Sequence, residues 1–163
     1  MMKNYKWILL LLNLGLLLSY LNYSVFKKEE TLKNGTLLLF ELAPVDPRSL
    51  MQGDYMILQY KITENWISEN TPRQGYCIVK KDKNKIAQKI RLQSEQIPLN
   101  DDEYAIKYNA SNPSNISIGA ESYFFQEGEA EKFSNAKYGA LMVDKKGNSL
   151  LIGLYDTNLK KIE

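Results

Sequence analysis

The stretch MQGDYMILQY, residues 51–60, joins a turn to an apolar segment, and the fold of the chain depends on how it is interpreted. Just before it, Pro44 and Pro47 favour extended backbone in the residues that precede them. Gly53 suits a turn with positive φ, and the Asp54 carboxylate can accept hydrogen bonds from nearby backbone amides. The composition therefore predicts a rigid turn that leads directly into a strand.

The strand itself is predicted over residues 55–60. Because successive side chains of a strand point to opposite faces, one face carries Met56, Leu58 and Tyr60, and the other carries Tyr55, Ile57 and Gln59. Both faces are largely apolar, which predicts a central strand with both sides covered.

Outward from this strand, alternation of apolar and polar residues continues through most of the chain. Further strands are predicted over residues 36–42, 75–81, 85–93, 103–109, 137–143 and 149–156. In 85–93 the apolar face is Ile86, Ile90 and Leu92. DKNK (82–85) and DKKGN (144–148) are predicted turns, the second closing a terminal hairpin. The acidic segment 127–136 predicts a short helix. About eight strands with frequent turns favour a mainly β fold, an antiparallel sandwich or a barrel-like domain.

An apolar run without charge covers residues 7–26 and is long enough to cross a bilayer as a helix. Trp7, Tyr20 and Tyr23 lie near its ends, where interfacial aromatic residues are expected. A cleaved signal peptide is the alternative, but SYLNYSV has bulky residues where a cleavage site needs small ones. We therefore predict a signal anchor over 1–26, which is a transmembrane helix.

The remaining organisation follows from this anchor. Residues 27–35 are predicted to be a charged tether, 36–157 a β-rich extracytoplasmic domain, and 158–163 a C-terminal tail. Lys3 and Lys6 precede the span, and a tail this short is easily kept inside while the domain is exported. The sequence therefore predicts a single-pass protein of the cell (inner) membrane with a cytoplasmic N-terminus and a periplasmic domain.

Composition excludes several functions. Only Lys3 and Lys6 of the basic residues lie before residue 27, so the exported part keeps 19 of 21 basic residues against 19 acidic ones. A near-neutral domain without a basic stripe argues against nucleic-acid binding. The chain has no histidine, and its single cysteine, Cys77, cannot form an intramolecular disulfide. No cofactor and no metal site are predicted.

The segment GDYMILQY fits the pattern Gly-Asp-Tyr-x-x-Leu-x-Tyr and resembles the signature of the bacterial GDYxxLxY family of membrane-anchored proteins. The block IGAESYFFQEGEAEKF (118–133) and the closing MVDKKGNSLLIGLY (142–155) are similar to further parts of that family, although Ala130 stands where its members usually have glycine. The resemblance covers nearly all of 36–156. It implies an extracytoplasmic domain that works with an integral membrane partner, and it implies no activity.

If one surface binds that partner, we predict the loop 46–55, because a rigid turn presents its groups at low entropic cost. Arg48 would donate hydrogen bonds to the partner, and Asp54 would accept them from the partner or from the turn. The predicted binding residues are Asp46, Arg48, Gln52, Gly53, Asp54 and Tyr55.

Three alternatives remain open. Ser49 ahead of Gly53 and Asp54 resembles the arrangement in membrane-anchored signal peptidases, in which a lysine such as Lys61 or Lys80 would serve as base. Carboxylates could form a glycosidase pair or a Ca²⁺ site; the candidates are Asp46, Asp54, Glu121, Glu127 and Glu129. Eleven tyrosines also allow a glycan-binding module, although Tyr104 and Tyr108 fall on the apolar faces of their strands.

Overall fold

The computed structural model describes residues 4–43, 55–64, 72–112, 115–126 and 128–163. One long helix, α1 (Asn4–Asn34), opens the chain. The strands that follow are β1 (Thr36–Glu41), β2 (Tyr55–Ile57), β3 (Gln74–Lys81), β4 (Ala87–Gln93), β5 (Glu103–Asn112), β6 (Asn115–Ser117), β7 (Ser122–Phe124), β8 (Tyr138–Val143) and β9 (Ser149–Tyr155). Two short 3-10 helices, Lys61–Thr63 and Ala130–Phe133, lie between strands.

The strands form three antiparallel sheets with the orders β1-β8-β9, β2-β7 and β4-β3-β5-β6. Within the described residues no sheet closes on itself, so the architecture is a helix followed by an open, sandwich-like β fold. The prediction of a mainly β fold after an N-terminal helix is confirmed. A parallel bridge between Leu39 and Ile86 and a hydrogen bond from the Lys107 amide to the Gly147 carbonyl connect the larger sheets.

The terminal hairpin of β8 and β9 is confirmed, with Val143 opposite Ser149 at its closed end. Its turn forms because one oxygen of Asp144 accepts the backbone amides of Lys146 and Asn148, each at 2.8 Å. Gly147 has a φ of +82°, a conformation that glycine adopts without steric cost. The predicted 82–85 turn uses the same device, with Asp82 as the acceptor.

Strand β4 departs from the predicted alternation. The register shifts between Ile78 and Val79, so that Ile78 is opposite Arg91 while Val79 is opposite Lys89. The bulge leaves Ile90 without a partner on β3, and its side chain is half exposed. The prediction that Ile90 shares a buried face with Ile86 and Leu92 is therefore wrong, because one extra residue rotates the strand.

An ion pair links the outer strand β4 to the start of β5 across β3. The Arg91 guanidinium contacts both carboxylate oxygens of Glu103, at 2.6 and 2.8 Å, and the Asn100 amide also donates to Glu103. The Arg91 hydrogen bond, followed by the Asn100 amide, lowers the pKa of Glu103 from 4.5 to about 2. This carboxylate therefore stays ionised in the folded protein at pH values that protonate it in the unfolded chain.

The ion pair should contribute stability above about pH 4.5 and lose that contribution as the pH falls towards 2, because the pKa of Glu103 is lower in the folded state. We expect the difference in Tm between the wild type and Glu103→Gln to be largest near neutrality and to shrink steadily below pH 4.5. Thermal unfolding of the full chain in mild detergent, measured from pH 7 to about pH 2.5, tests this. The exposed Glu95→Gln is the control, and a pH-independent difference for Glu103→Gln would contradict the assignment.

Strand β2 is not central. It pairs only with β7 among the described strands, in the register Tyr55 with Phe124 and Ile57 with Ser122. The alternation itself is confirmed, since Met56, Leu58 and Tyr60 are buried while Tyr55 and Ile57 are exposed. The prediction that both faces of this strand are covered is wrong, because the apolar side chains of Tyr55 and Ile57 face outward.

The segments predicted to flank the domain are structured. Residues 27–34, predicted as a tether, continue helix α1, and only Gly35 separates it from β1. The 158–163 tail turns back along β9, where the Ile162 amide donates to the Leu154 carbonyl at 2.9 Å. The predicted helix 127–136 is reduced to the single 3-10 turn Ala130–Phe133, with Glu127 outside the described residues.

The core is continuous beneath all three sheets. Its fully buried members include Leu38, Phe40, Tyr60, Cys77, Val79, Ile106, Leu141 and Leu154. Helix α1 remains largely outside it. The exception is Thr31, which is buried where the last turns of α1 approach β8 and β9.

Candidate functional site

The predicted 46–55 loop falls almost wholly outside the described residues. This applies to Asp46, Arg48, Ser49, Gln52, Gly53 and Asp54, whose roles stay predictions. Tyr55, the last residue of that loop, is described, and it opens β2. The structure therefore shows what the loop leads into.

The second half of the GDYMILQY motif belongs to the core. Leu58 is 3% exposed and Tyr60 is 1% exposed. The Tyr60 ring meets Phe40 edge to face at a centroid distance of 5.9 Å, and its hydroxyl donates to the Ala120 carbonyl. Burial raises the pKa of this phenol far above its usual range. Tyr60 thus anchors the end of the motif to the block that contains β7.

The outward side of the β2–β7 ribbon is apolar and exposed. Tyr55, Ile57 and Phe124 are 41%, 52% and 73% exposed. Tyr55 lies opposite Phe124, and their ring centroids are 5.8 Å apart. We call these three side chains the β2–β7 outer face. Exposed apolar residues that lie together need an explanation more than isolated ones do.

The inward side of the same ribbon rests on a packed aromatic layer. Tyr123 meets Phe133 at a centroid distance of 5.1 Å, and Phe125 meets Phe133 at 5.5 Å. The Leu58 amide donates to the Glu121 carbonyl at 2.7 Å, which extends the pairing beyond Ile57. The side of the ribbon opposite its outer face is therefore packed against the domain.

The two lysines considered as bases for Ser49 are solvent-exposed and paired. Lys61 contacts Glu41 at 3.3 Å and Lys80 contacts Asp102 at 3.2 Å, with lysine side chains 55% and 54% exposed. A Ser–Lys base requires a desolvated amine. Lys137 also contacts Glu41, and this hydrogen bond is the main cause of the lowered pKa of that carboxyl. The environment of both lysines counts against the peptidase alternative.

The described members of the carboxylate set are engaged in local contacts. Glu121 accepts the Ser117 hydroxyl at 2.9 Å and the Gly119 amide at 3.2 Å. Glu129 pairs with Lys132 at 3.3 Å. Within the described ranges no group of three or more Cys, Asp or Glu side chains could hold a metal ion. These contacts give the two carboxylates structural roles.

A polar crevice of about 770 Å³ lies between the β3–β5–β6 side of the large sheet and the β8–β9 turn. Its lining includes Gln74, Tyr76, Lys107, Asn109 and Asn148. The Lys107 ammonium donates to the Asn148 side chain at 3.0 Å, which fixes the amide at the mouth. An aromatic ring beside several amides is the feature that favours the glycan-binding alternative.

Sequence reasoning missed this crevice. Its residues come from separate strands and from DKKGN, which was interpreted only as a turn. The glycines at 119 and 147, both with positive φ, were the one local signal that the backbone bends sharply there.

A family model described as GDYXXLXY protein matches residues 17–154, which is most of the chain. No curated protein and no solved structure matches it.

Proposed function

This chain belongs to the GDYXXLXY protein family, and we propose that it is a membrane-anchored binding protein whose β domain docks onto an integral membrane protein. The contact uses the β2–β7 outer face together with the adjoining 46–55 loop. Docking, rather than catalysis, is the function of the domain.

The observation that carries the proposal is the β2–β7 outer face itself. Three large apolar side chains lie together on a ribbon whose other side is packed, so a partner can bury them without reordering the backbone. Aromatic side chains on rigid supports are typical centres of protein interfaces. The face also includes Tyr55, the last residue of the loop predicted to bind.

The position of the domain favours a partner in the same membrane. Helix α1 is long and apolar enough over residues 5–34 to span a bilayer, and none of its most apolar window is buried in the fold. Residues 27–34 add only about 12 Å of helix beyond the apolar run, at 1.5 Å per residue. Since Gly35 alone separates this helix from β1, the domain is held close to the membrane surface.

We assign the N-terminus to the cytoplasm and the domain to the extracytoplasmic side. Lys3 and Lys6 precede the apolar run, and basic residues next to a span tend to stay inside. Lys27 and Lys28 follow it, but Glu29 and Glu30 come directly after them. The orientation is tested by the labelling experiment described below.

The outer face is tested by the double variant Ile57→Ser/Phe124→Ser in the full-length, C-terminally tagged chain. We expect recovery of the integral membrane partner from mild-detergent membranes to fall about 30-fold, the effect of losing roughly 2 kcal/mol of interface energy. Mass spectrometry of the purified complex measures this recovery. Thermal stability should change little, because both side chains are exposed.

Ile90→Ser/Ile97→Ser is the matched control. Ile90 and Ile97 are 50% and 71% exposed, and both lie outside the β2–β7 ribbon. This control should retain the partner in full. Equal recovery with the two double variants, or a wild-type chain that elutes without any stoichiometric membrane protein, would contradict the docking proposal.

A further inference from the structure

We propose that a crevice between the end of α1 and the β8–β9 turn binds the phosphate-bearing headgroup of an anionic membrane lipid. This inference rests on the anchoring part of the proposed function, but it needs neither the protein partner nor the β2–β7 outer face. The crevice has a volume of about 260 Å³. This is many times the volume that a single water needs, so a small polar headgroup can enter.

The crevice lies at the depth of a headgroup. Its helical wall is formed by Ser24, Lys27, Lys28 and Thr31, which are spaced to share one face of α1. Lys27 directly follows Phe26, the last residue of the apolar run. A helix that buries residues 7–26 in hydrocarbon therefore places Lys27, Lys28 and Thr31 at the interface, where lipid phosphates lie, with Ser24 in the last turn below it.

The charge of the lining suits an anion. Two lysines and no carboxylate line the crevice. Within the described part of the chain neither Lys27 nor Lys28 forms an ion pair, whereas Lys33, one turn further on, pairs with Glu29 at 3.7 Å. The ammonium groups at the mouth are therefore available to a phosphate.

The opposite wall is polar and fixed. Gly119, Asn148, Ser149 and Leu150 form it, and the Ser149 hydroxyl donates to the Ile118 carbonyl. Asn148 is held from two sides, since Lys107 donates to its amide oxygen at 3.0 Å and its amide nitrogen donates to Asp144 at 2.6 Å. A headgroup would enter a site whose far wall is already ordered, which lowers the entropic cost of binding.

The crevice continues into the larger one described above. Both are lined by Gly119, Asn148 and Ser149, and the larger one adds a third lysine, Lys107, again without a carboxylate in its lining. Asp144 and Glu121 lie next to the lining, but each accepts backbone amides of its own turn. The joined crevices therefore place three lysines near a bound phosphate. The larger crevice also has space for the polar part of the headgroup.

The test measures lipid binding to the full-length chain in mild detergent by native mass spectrometry. The probes are phosphatidylglycerol and phosphatidylcholine with identical acyl chains. We expect one phosphatidylglycerol to be retained per chain in preference to phosphatidylcholine. Lys27→Gln/Lys28→Gln should weaken that binding about 30-fold, since each interfacial lysine contributes roughly a fivefold factor.

Two controls separate the crevice from general electrostatics. Lys33→Gln/Lys160→Gln removes the same charge from exposed positions outside the lining and should leave the preference intact. Ser24→Trp fills the crevice without changing charge and should abolish the preference, whereas Ser19→Trp, on the exposed part of α1, should not. If Lys33→Gln/Lys160→Gln weakens binding as much as Lys27→Gln/Lys28→Gln, the site is refuted.

The source of the phosphate and the anchoring are tested separately. Glycerol 1-phosphate without lipid should bind far more weakly than phosphatidylglycerol; equal, Lys27-dependent binding would show a site for soluble phosphates and overturn the lipid assignment. Alkaline extraction of membranes should leave the wild type in the pellet. A chain released by extraction would overturn anchoring and lipid site together, while a membrane-bound chain that retains both lipids equally would overturn the lipid site alone.

Discussion

Replacing Tyr60 with Ala is expected to lower the free energy of unfolding by about 3–5 kcal/mol, the range for truncating a buried aromatic side chain. Its ring is 1% exposed and packs edge to face on Phe40. It also covers Gly139, where a Cβ atom would lie 2.9 Å from the Tyr60 Cε1 atom. The variant therefore leaves a cavity between β1, β8 and the end of the motif, and it removes the donor to the Ala120 carbonyl.

Tyr55→Ala is the matched control, because both tyrosines belong to the GDYxxLxY motif and only one is buried. Tyr55 is 41% exposed, so its loss should change stability by no more than about 0.5 kcal/mol. Tyr60→Phe should fall between the two, at about 1–3 kcal/mol, because it keeps the ring but leaves a buried carbonyl unpaired. Denaturant unfolding of the full chain in mild detergent, followed by near-ultraviolet circular dichroism, measures all three.

A large loss of stability for Tyr60→Ala and a small one for Tyr55→Ala would show that residues of the family motif have different physical roles. Leu58 and Tyr60 specify how the segment packs, whereas Tyr55 contributes to the exposed outer face. Equal destabilisation by Tyr55→Ala and Tyr60→Ala would contradict that division and make the whole motif structural. In that case the docking proposal would rest on Ile57 and Phe124 alone.

Much of the fold follows from alternation in the sequence. The inward set of Met56, Leu58 and Tyr60 was predictable because a strand has a side-chain period of two. The central position predicted for that strand was wrong, because an apolar residue on an exposed face and one facing a core give the same sequence pattern. Periodicity also could not reveal the bulge in β4. The bulge is visible only in the pairing of β4 with β3, where Ile90 has no partner and its side chain therefore points outward.

The polar crevices could not be predicted from the sequence, for a different reason. Their walls combine the end of α1, the middle of β5, the segment around Gly119 and the β8–β9 turn. Each piece is short and has an ordinary local explanation, such as the Asp144 turn. Only the sheet order, which brings Gly147 to within hydrogen-bonding distance of Lys107, assembles them.

The second prediction is that maleimide does not label Cys77 in the folded protein, and it provides a test of the orientation of the chain in the membrane. Cys77 is the sole cysteine of the sequence and is 1% exposed, and burial raises the pKa of its thiol to about 12. Near neutral pH this reduces the reactive thiolate roughly a thousandfold relative to an exposed cysteine. A membrane-impermeant maleimide should therefore leave the wild-type chain unlabelled in intact cells and in permeabilised cells, and should label it only after denaturation.

Because Cys77 should not react with maleimide in the folded chain, a cysteine introduced at an exposed position reports the orientation of the chain in the membrane. Ile97 is 71% exposed, so Ile97→Cys should be labelled in intact cells if the domain is extracytoplasmic. Lys3→Cys, in the N-terminal tail, should be labelled only after permeabilisation. The reverse pattern would place the domain in the cytoplasm and remove the proposed extracytoplasmic docking. Labelling of the wild type in intact cells would instead show that Cys77 is accessible, which contradicts its place in the core between β4 and β5.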